Sequence, residues 1–549
     1  MVLASQSCPH RMRRKYFEDT QLSDLQTDIT SRAMHCFQVS QHIIALLFYF
    51  ACLWTVTLGR CPNKCLCDDE SLRVVCDASS LDVVPITLNP GLKELNLVNN
   101  HIKSIMSSFS VYNSLIYLDV SNNQLVTLGR DNFKEQKELK VLLLHQNMIS
   151  QLENETFNGL GKLETLFLND NYIEDIPPDV FVPLKKLEKL DLSRNHLTKF
   201  NDFAFRGLEN LKTLLLRDNK FVTIPSRAFV PLKGLLSLDL GMNSFANIPE
   251  EAFVSLKELS ELSLDGCGFR TIQVGAFKTL SSLRTLRLHD NDLEEVPTRT
   301  FQDIPKLEVL NLGHNKFPRL RSKAFQYLRY LRTVEISGSL TLQAIDRGAF
   351  SENADIESVI MTHNPNFNYI DPAAFEALVQ LKHINLRGNA FGRFDASLLD
   401  WDELKSLDLR DNPLVCNCSA LWLWSLLRDR NSTTSPMTSE TSLVRCGGGP
   451  SGLQEKFLRD LSAGDLGCYD ADIRRQIIIG VVAAAAVSFA VIVLLGVRFR
   501  ERVAGVLKSK WGSGSKEPQY HKTNGEDVDT TICHQAAHQP LKMVPVTEL

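Results

Sequence analysis

Apolar residues recur along the middle of this chain in a pattern that fits neither an amphipathic helix nor a simple alternating strand. In LIYLDVSNNQL (115–125), LKVLLLHQNMI (139–149), LETLFLNDNYI (163–173) and LEKLDLSRNHL (187–197), apolar residues stand at places 1, 4, 6 and 11, and Asn at place 9. The same arrangement starts at Leu92, Leu211, Leu235, Leu259, Leu283 and Leu307. It continues less regularly from Leu331, Ile356, Leu381 and Leu404, giving fourteen units. From Leu115 to Leu331 every step is 24 residues. A fixed period of this length predicts stacked units, each contributing one short strand from its L-x-L core at places 4 to 6. The second half of the unit carries Phe at Phe157, Phe181, Phe205, Phe229, Phe253, Phe277, Phe301 and Phe325. No unit can bury its own leucines and phenylalanine, so each depends on its neighbours. Strands stacked at ~4.8 Å make a curved parallel sheet on the order of 60 Å along its inner face.

Place 9 is filled by Asn171, Asn195, Asn219, Asn243, Cys267, Asn291 and Asn315 in successive units. An inward Asn can donate to carbonyls that a tight turn leaves unpaired, and buried backbone polar groups need such partners. Cys267 is a small side chain content with burial, so it reads as a structural thiol and not a nucleophile. A reactive thiol needs an electropositive, partly exposed setting, and the neighbouring sequence offers none.

The 549 residues are 44% apolar and 23% charged with a net charge of −4, ordinary globular values that argue against a nucleic-acid binder. Cysteine placement changes the picture more. Cys61, Cys65, Cys67 and Cys76 stand just before the first unit, and Cys416, Cys418, Cys446 and Cys468 follow the last. The ends of a solenoid expose apolar surface that must be covered, and small covers without a core need disulfides. A zinc site fits the C-x3-C-x-C-x8-C spacing poorly. Four cysteines allow three pairings in each cover. With LxxLxLxxN units between two cysteine clusters, the chain resembles extracellular leucine-rich repeat proteins: an α/β repeat solenoid, a horseshoe with disulfide-bonded N- and C-terminal caps. The resemblance implies first-with-third and second-with-fourth pairing, hence Cys61–Cys67, Cys65–Cys76, Cys416–Cys446 and Cys418–Cys468. The late irregular units (336–375) resemble the insect tartan and capricious recognition group, which implies cell–cell recognition at tissue boundaries, axon targeting and synaptic partner choice.

Residues 43–58, IIALLFYFACLWTVTL, have the length of a signal-peptide core. Residues 1–59 thus read as leader and signal peptide, with Met34 a more usual start and an uncleaved anchor the alternative. The cap at 60–91, the repeats at 92–414 and the second cap at 415–470 follow. Residues 477–497 are 21 uncharged residues, enough for one transmembrane helix. Arg498, Arg500, Arg502, Lys508 and Lys510 come next, against Arg474 and Arg475 before it, which favours a cytoplasmic C-terminus. The expected setting is the plasma membrane, single-pass type I. Glycosylation acceptors stand at Asn154, Asn417 and Asn431. The tail, 498–549, reads as disordered and is too short for a signalling domain. It ends Thr547-Glu548-Leu549, a pattern a PDZ domain takes by strand addition, with Leu549 in a pocket and Thr547 hydrogen-bonded.

No HExxH, GxSxG or GxxxxGK[ST] occurs, and no cofactor or metal ligand set stands out. Asp119, Asp191 and Asp239 recur at one strand place and read as a solvated face, as do His145, His289, His314 and His363 near the turn. The chain therefore reads as a binding protein and not an enzyme. Its partners are expected to be extracellular or cell-surface proteins, homophilic or heterophilic, and a cytoplasmic PDZ protein. Tyr117, Val141, Leu143 and Phe167 form an expected exposed apolar patch on the inner face, and Arg284, Arg287 and Arg332 suit an acidic partner. A ligand-binding receptor of immune or growth-factor type, acting with a co-receptor, is the competing reading.

Overall fold

The computed structural model describes residues 61–429, 443–449, 452–468 and 471–510. They fall into two units, one ending at Cys468 and one beginning after it. In the first unit, fourteen three-residue strands, from Glu94–Asn96 to Ser406–Asp408, line one continuous sheet. Every neighbouring pair among them is parallel and in register, so Leu118 sits beside Leu142, Leu142 beside Leu166, and so on. Two further strands, Leu66–Asp68 and Arg73–Val75, form an antiparallel hairpin that extends the sheet to sixteen strands at its N-terminal edge. The last strand of the hairpin pairs parallel with Glu94–Asn96.

The register follows from the period. Place 4 of each unit must be buried, and a slip of one residue would turn it outward. Leu95, Leu142, Leu190 and Leu310 have no exposed surface, and the place-1 and place-6 residues are buried as well, least completely at Leu381 and Leu404 near the C-terminal end. Opposite them the phenylalanines stack ring on ring from turn to turn. Phe157 and Phe181 lie 5.7 Å apart between centroids, Phe181 and Phe205 6.4 Å, and Phe325 and Phe350 5.0 Å. Truncating one such fully buried ring to Ala costs about 3–5 kcal/mol.

A second regularity was not visible as a motif. Place 8, just before the Asn, is left-handed in all fourteen turns, from Asn99 to Asp411, with φ between 51° (Arg194) and 71° (Gly388). The geometry lets the place-8 N–H bond the place-7 carbonyl of the next turn, as in Asp170 to Ser193 at 3.0 Å and Arg194 to Arg217 at 2.8 Å. Asn, Asp and Gly tolerate this region best, which explains Asn122, Asp170, Asp218, Asp290 and Gly338 there.

Sulfurs are joined in four pairs at the two ends: Cys61–Cys67, Cys65–Cys76, Cys416–Cys446 and Cys418–Cys468. At the C-terminal end, helix α1 (Leu421–Asp429) lays Trp422 against Trp401, centroids 5.0 Å apart. The Trp424 indole N–H donates to the Leu461 carbonyl at 2.7 Å, which ties the cap chain to that helix. In the second unit, helix α2 (Ala471–Lys510) contains Arg475–Arg500, a stretch long and apolar enough to cross a membrane. Its side chains from Arg475 to Arg500 are exposed.

Candidate protein-binding face

The strand register places side chains in columns across the inner face. Place 3 carries Tyr117, Val141, Thr165 and Lys189, and place 5 carries Asp119, Leu143, Phe167 and Asp191 on the same four strands. Tyr117, Val141, Leu143 and Phe167 are thus brought together, as the sequence suggested. Their exposure differs from the expectation: all four are half-buried. At Phe167 the reason is that long neighbours lean over the ring. The Lys189 ammonium lies 4.9 Å from the Phe167 ring centre, and the His145 ring meets Phe167 edge-on at 6.4 Å. A cation above a ring face holds both groups in place. Lys189 therefore belongs to this patch, and it was missed because it carries no motif. Only its position one strand over, 22 residues after Phe167, could have pointed to it.

Asp119 corrects the reading of a solvated face, because it is buried, with 6% exposure. Its Oδ1 accepts from the Ser121 N–H at 2.9 Å and the Ser121 hydroxyl at 2.6 Å, and its Oδ2 accepts from the Tyr117 hydroxyl at 3.1 Å. Burial, then the neighbouring Asp119 charge, pushes the Tyr117 phenol up to about 12. The same cap recurs. Asp191 accepts from Ser193 N–H, Asp239 from Gly241 N–H, Asn311 from Gly313 N–H and Asp408 from Arg410 N–H. A place-5 Asp or Asn closes a turn onto the backbone two residues on, where the strand ends. These carboxylates are structural, and their repetition is the signature of that use.

The arginines also fall differently from expectation. Arg284 ion-pairs with Glu308 at place 2 of the next turn, and Arg287 reaches Ser263 Oγ at 3.3 Å from place 5. Arg332 is at place 2, two turns beyond Arg284. Place 2 is a ladder of opposite charges: Lys140 meets Glu164 at 2.8 Å, Lys212 meets Glu188 at 2.9 Å and Lys382 meets Glu357 at 3.1 Å. Arg284 and Arg332 thus lie on a self-matched edge, apart from Arg287, and do not form one basic surface with it.

In the Asn column, Asn171 donates to the carbonyls of Leu144, Leu168 and Asn169 at 3.0, 3.0 and 3.2 Å, and accepts from the Ile149 N–H. The Cys267 thiol is a weaker donor, to the Leu240 and Asp265 carbonyls at 3.4 and 3.5 Å. It is 4% exposed, and burial raises its thiol to about 12. Ser339 takes the same slot three turns later and is fully buried. His145 and His289 are half-buried, each with an Nδ1 enclosed and without a partner among the described residues. Among the described residues no cluster of His, Cys, Asp or Glu is arranged to hold a metal ion.

Asn154 is exposed on a turn, and Asn417 is exposed with its Oδ1 accepting from the Ser419 N–H at 3.0 Å. Asn431, Thr547 and Leu549 lie outside the described residues.

The leucine-rich repeat family matches eight overlapping segments that run without a gap from residue 113 to 391, just over half of the chain. The chain belongs to the leucine-rich repeat family. Among curated leucine-rich repeat relatives, it is 33% identical over 82 residues to the oligodendrocyte-myelin glycoprotein of Homo sapiens, covering 15% of this chain and 19% of that one. It is 31% identical over 117 residues to the reticulon-4 receptor-like 2 protein of Homo sapiens, covering 20% of this chain and 28% of that one. The chain thus spans between about a fifth and just over a quarter of the length of these relatives. Of solved leucine-rich repeat structures, a protein of Leptospira interrogans superposes with a TM-score of 0.55 at 23% identity, over 66% of this chain and 94% of that one. A chain of the Drosophila Toll–Spatzle complex gives 0.48 at 20% identity, over 68% and 60%. The Leptospira likeness shows the fold. This leucine-rich repeat chain is related to receptor-type proteins, and its disulfides with one apolar helix fit a membrane-anchored extracellular protein.

Proposed function

We propose that this chain is a cell-surface recognition and adhesion receptor that binds protein partners through the inner face of its repeats. The observation that carries this reading is the half-buried patch of Tyr117, Val141, Leu143 and Phe167, set in a rigid parallel ladder and edged by Lys189, Asp191 and Glu94. An apolar centre with a charged rim is the anatomy of a protein interface. The place-5 caps and the stacked phenylalanines hold the strands rigid, so little ordering cost falls on binding. Type I orientation, with the repeats outside and a C-terminal PDZ ligand inside, belongs to the same proposal. So does a role in neuronal targeting or tissue boundaries, of the kind the tartan and capricious resemblance implies. Glycans at Asn154, Asn417 and Asn431 agree with it.

The test is a cell-mixing assay on transfected cells. Cells displaying the protein should aggregate with, or sort by, cells bearing the partner, and Phe167→Asp or Leu143→Asp should abolish this with surface display unchanged. Aggregation that persists in both variants removes the patch from the mechanism. Absence of any sorting across partner-bearing lines counts against adhesion.

A further inference from the structure

Backbone pairing along the flank of the solenoid beyond the Asn column is intermittent, and one of its gaps falls at Val296. Parallel backbone pairing links Ile248 to Ile272, and resumes in a three-stranded sheet of Arg319–Leu320, Ala344–Ile345 and Tyr369–Ile370. Between them Val296 belongs to no strand. Pro297 follows it and has no N–H to give, and a 3₁₀ turn over Thr298–Asp303 takes the chain away. The break opens a groove of about 720 Å³.

Its lining is unusual for this molecule. Arg299, Arg321 and Lys323 all face it, all are exposed, and none closes an ion pair among the described residues. Arg319 also lines it and is held by Asp346 at 2.9 Å. Arg319, Arg321 and Lys323 alternate along PRLRSK, with Leu320 fully buried between the first two, so extended geometry turns the arginines outward together. Arg299 and Lys323 occupy the same place on adjacent turns, each two residues before a core Phe. The Lys323 N–H bonds the Gly348 carbonyl at 2.9 Å, which sets the exposed Arg347 on the third turn. Glu294 and Glu295 also line the groove, on the turn before Pro297. Three unmatched cations on two adjacent turns therefore share the groove with two carboxylates, and the exposed Arg347 stands on the turn beyond.

We propose that this groove binds a sulfated polysaccharide chain. A guanidinium donates two parallel N–H bonds to a sulfate, and cations repeated at the spacing of stacked turns suit a polymer with regularly placed anions. Glu294 and Glu295 repel anions from their own part of the lining. The site is separate from the inner-face patch and rests on the extracellular placement proposed above.

The experiment uses the full chain in detergent and heparin as probe. Heparin should bind at low salt and weaken steeply as salt rises, because exposed charges are screened. The triple variant Arg299→Ala, Arg321→Ala, Lys323→Ala should bind at least about tenfold more weakly with an unchanged melting temperature, a loss on the order of 1.4 kcal/mol. Glu294→Gln with Glu295→Gln should tighten binding and supplies a reading should the triple variant misfold. Unchanged affinity in both variants overturns the proposal, as does equal binding of chemically desulfated heparin. Displacement of heparin by polyglutamate at equal charge concentration overturns it in favour of an acidic protein. Loss of Phe167-dependent sorting leaves these outcomes unaffected, so the two readings fail separately.

Discussion

Arg217 reaches past an entire turn to meet Asp265, Nη2 to Oδ2 at 2.6 Å, on a carboxylate side chain only 3% exposed. The turn it crosses carries Gly241 at the equivalent place. A Cβ there would overlap the Arg217 guanidinium and stand 3.0 Å from Asp265 Oδ1 and 3.1 Å from Asp239 Oδ1. The glycine is therefore a gap through which one side chain links three turns. His289 approaches the same carboxylate from the far side at 3.5 Å.

Removing Arg217 leaves the buried Asp265 carboxylate with only the more distant His289, and stripping the cation from a buried pair typically costs about 3–5 kcal/mol. Arg217 is a third exposed, so Arg217→Ala should cost about 2–3 kcal/mol, the lower figure reflecting solvent screening. Gly241→Ala should lose a similar amount through the steric route, and the double variant should lose much less than the sum. Urea unfolding of the three variants checks this; additive losses would separate Gly241 from the ion pair.

Asp239 offers a pH test. Burial raises its carboxyl above the usual 3.8, only partly opposed by the Gly241 N–H and by Arg217. The folded state thus holds its proton more tightly than the unfolded state. Its contribution is most favourable below pH 3.8 and declines as pH rises through the folded value. Asp239→Asn keeps the acceptor oxygen for Gly241 and removes the charge. It should raise stability near pH 7, by less than about 1 kcal/mol, and the gain should vanish toward pH 3.5. A variant equally stabilised at both pH values would contradict the assignment.

Cys267 occupies a slot built for an amide. Cys267→Asn should regain donors to Leu240 and Asp265 and an acceptor for the Phe245 N–H, a gain of about 1 kcal/mol. The thiol should resist aromatic disulfide reagents at pH 8 until the protein unfolds. Its value of about 12 against an ordinary 9.0 means that stability falls as pH rises from 9 toward 12, since only the unfolded thiol ionises. Cys267→Ser should lack that alkaline loss. Rapid native labelling would show an accessible thiol instead.

Removal of Thr547 to Leu549 should abolish capture of the tail by PDZ domains while leaving sorting through the inner face intact. Pull-down with a PDZ panel reads the first outcome and cell mixing the second; capture that survives the truncation discards the motif.

The 24-residue period, read alone, determined that each unit gives one strand, which leucines and phenylalanines are enclosed, and that Cys267 shares the Asn column, though the strand runs one residue earlier than the L-x-L core. It could do so because stacking identical units leaves one way to bury identical faces. Tertiary structure alone decided what residues at variable places do. Asp119 turns back onto Ser121, Lys189 covers Phe167, Arg284 is matched by Glu308, and Arg217 passes over Gly241 to Asp265. Each outcome depends on side-chain reach between neighbours brought together by stacking, up to 48 residues apart in the chain. A repeat motif averages over such differences, because the backbone that it encodes is the same whichever rotamer the variable residue takes.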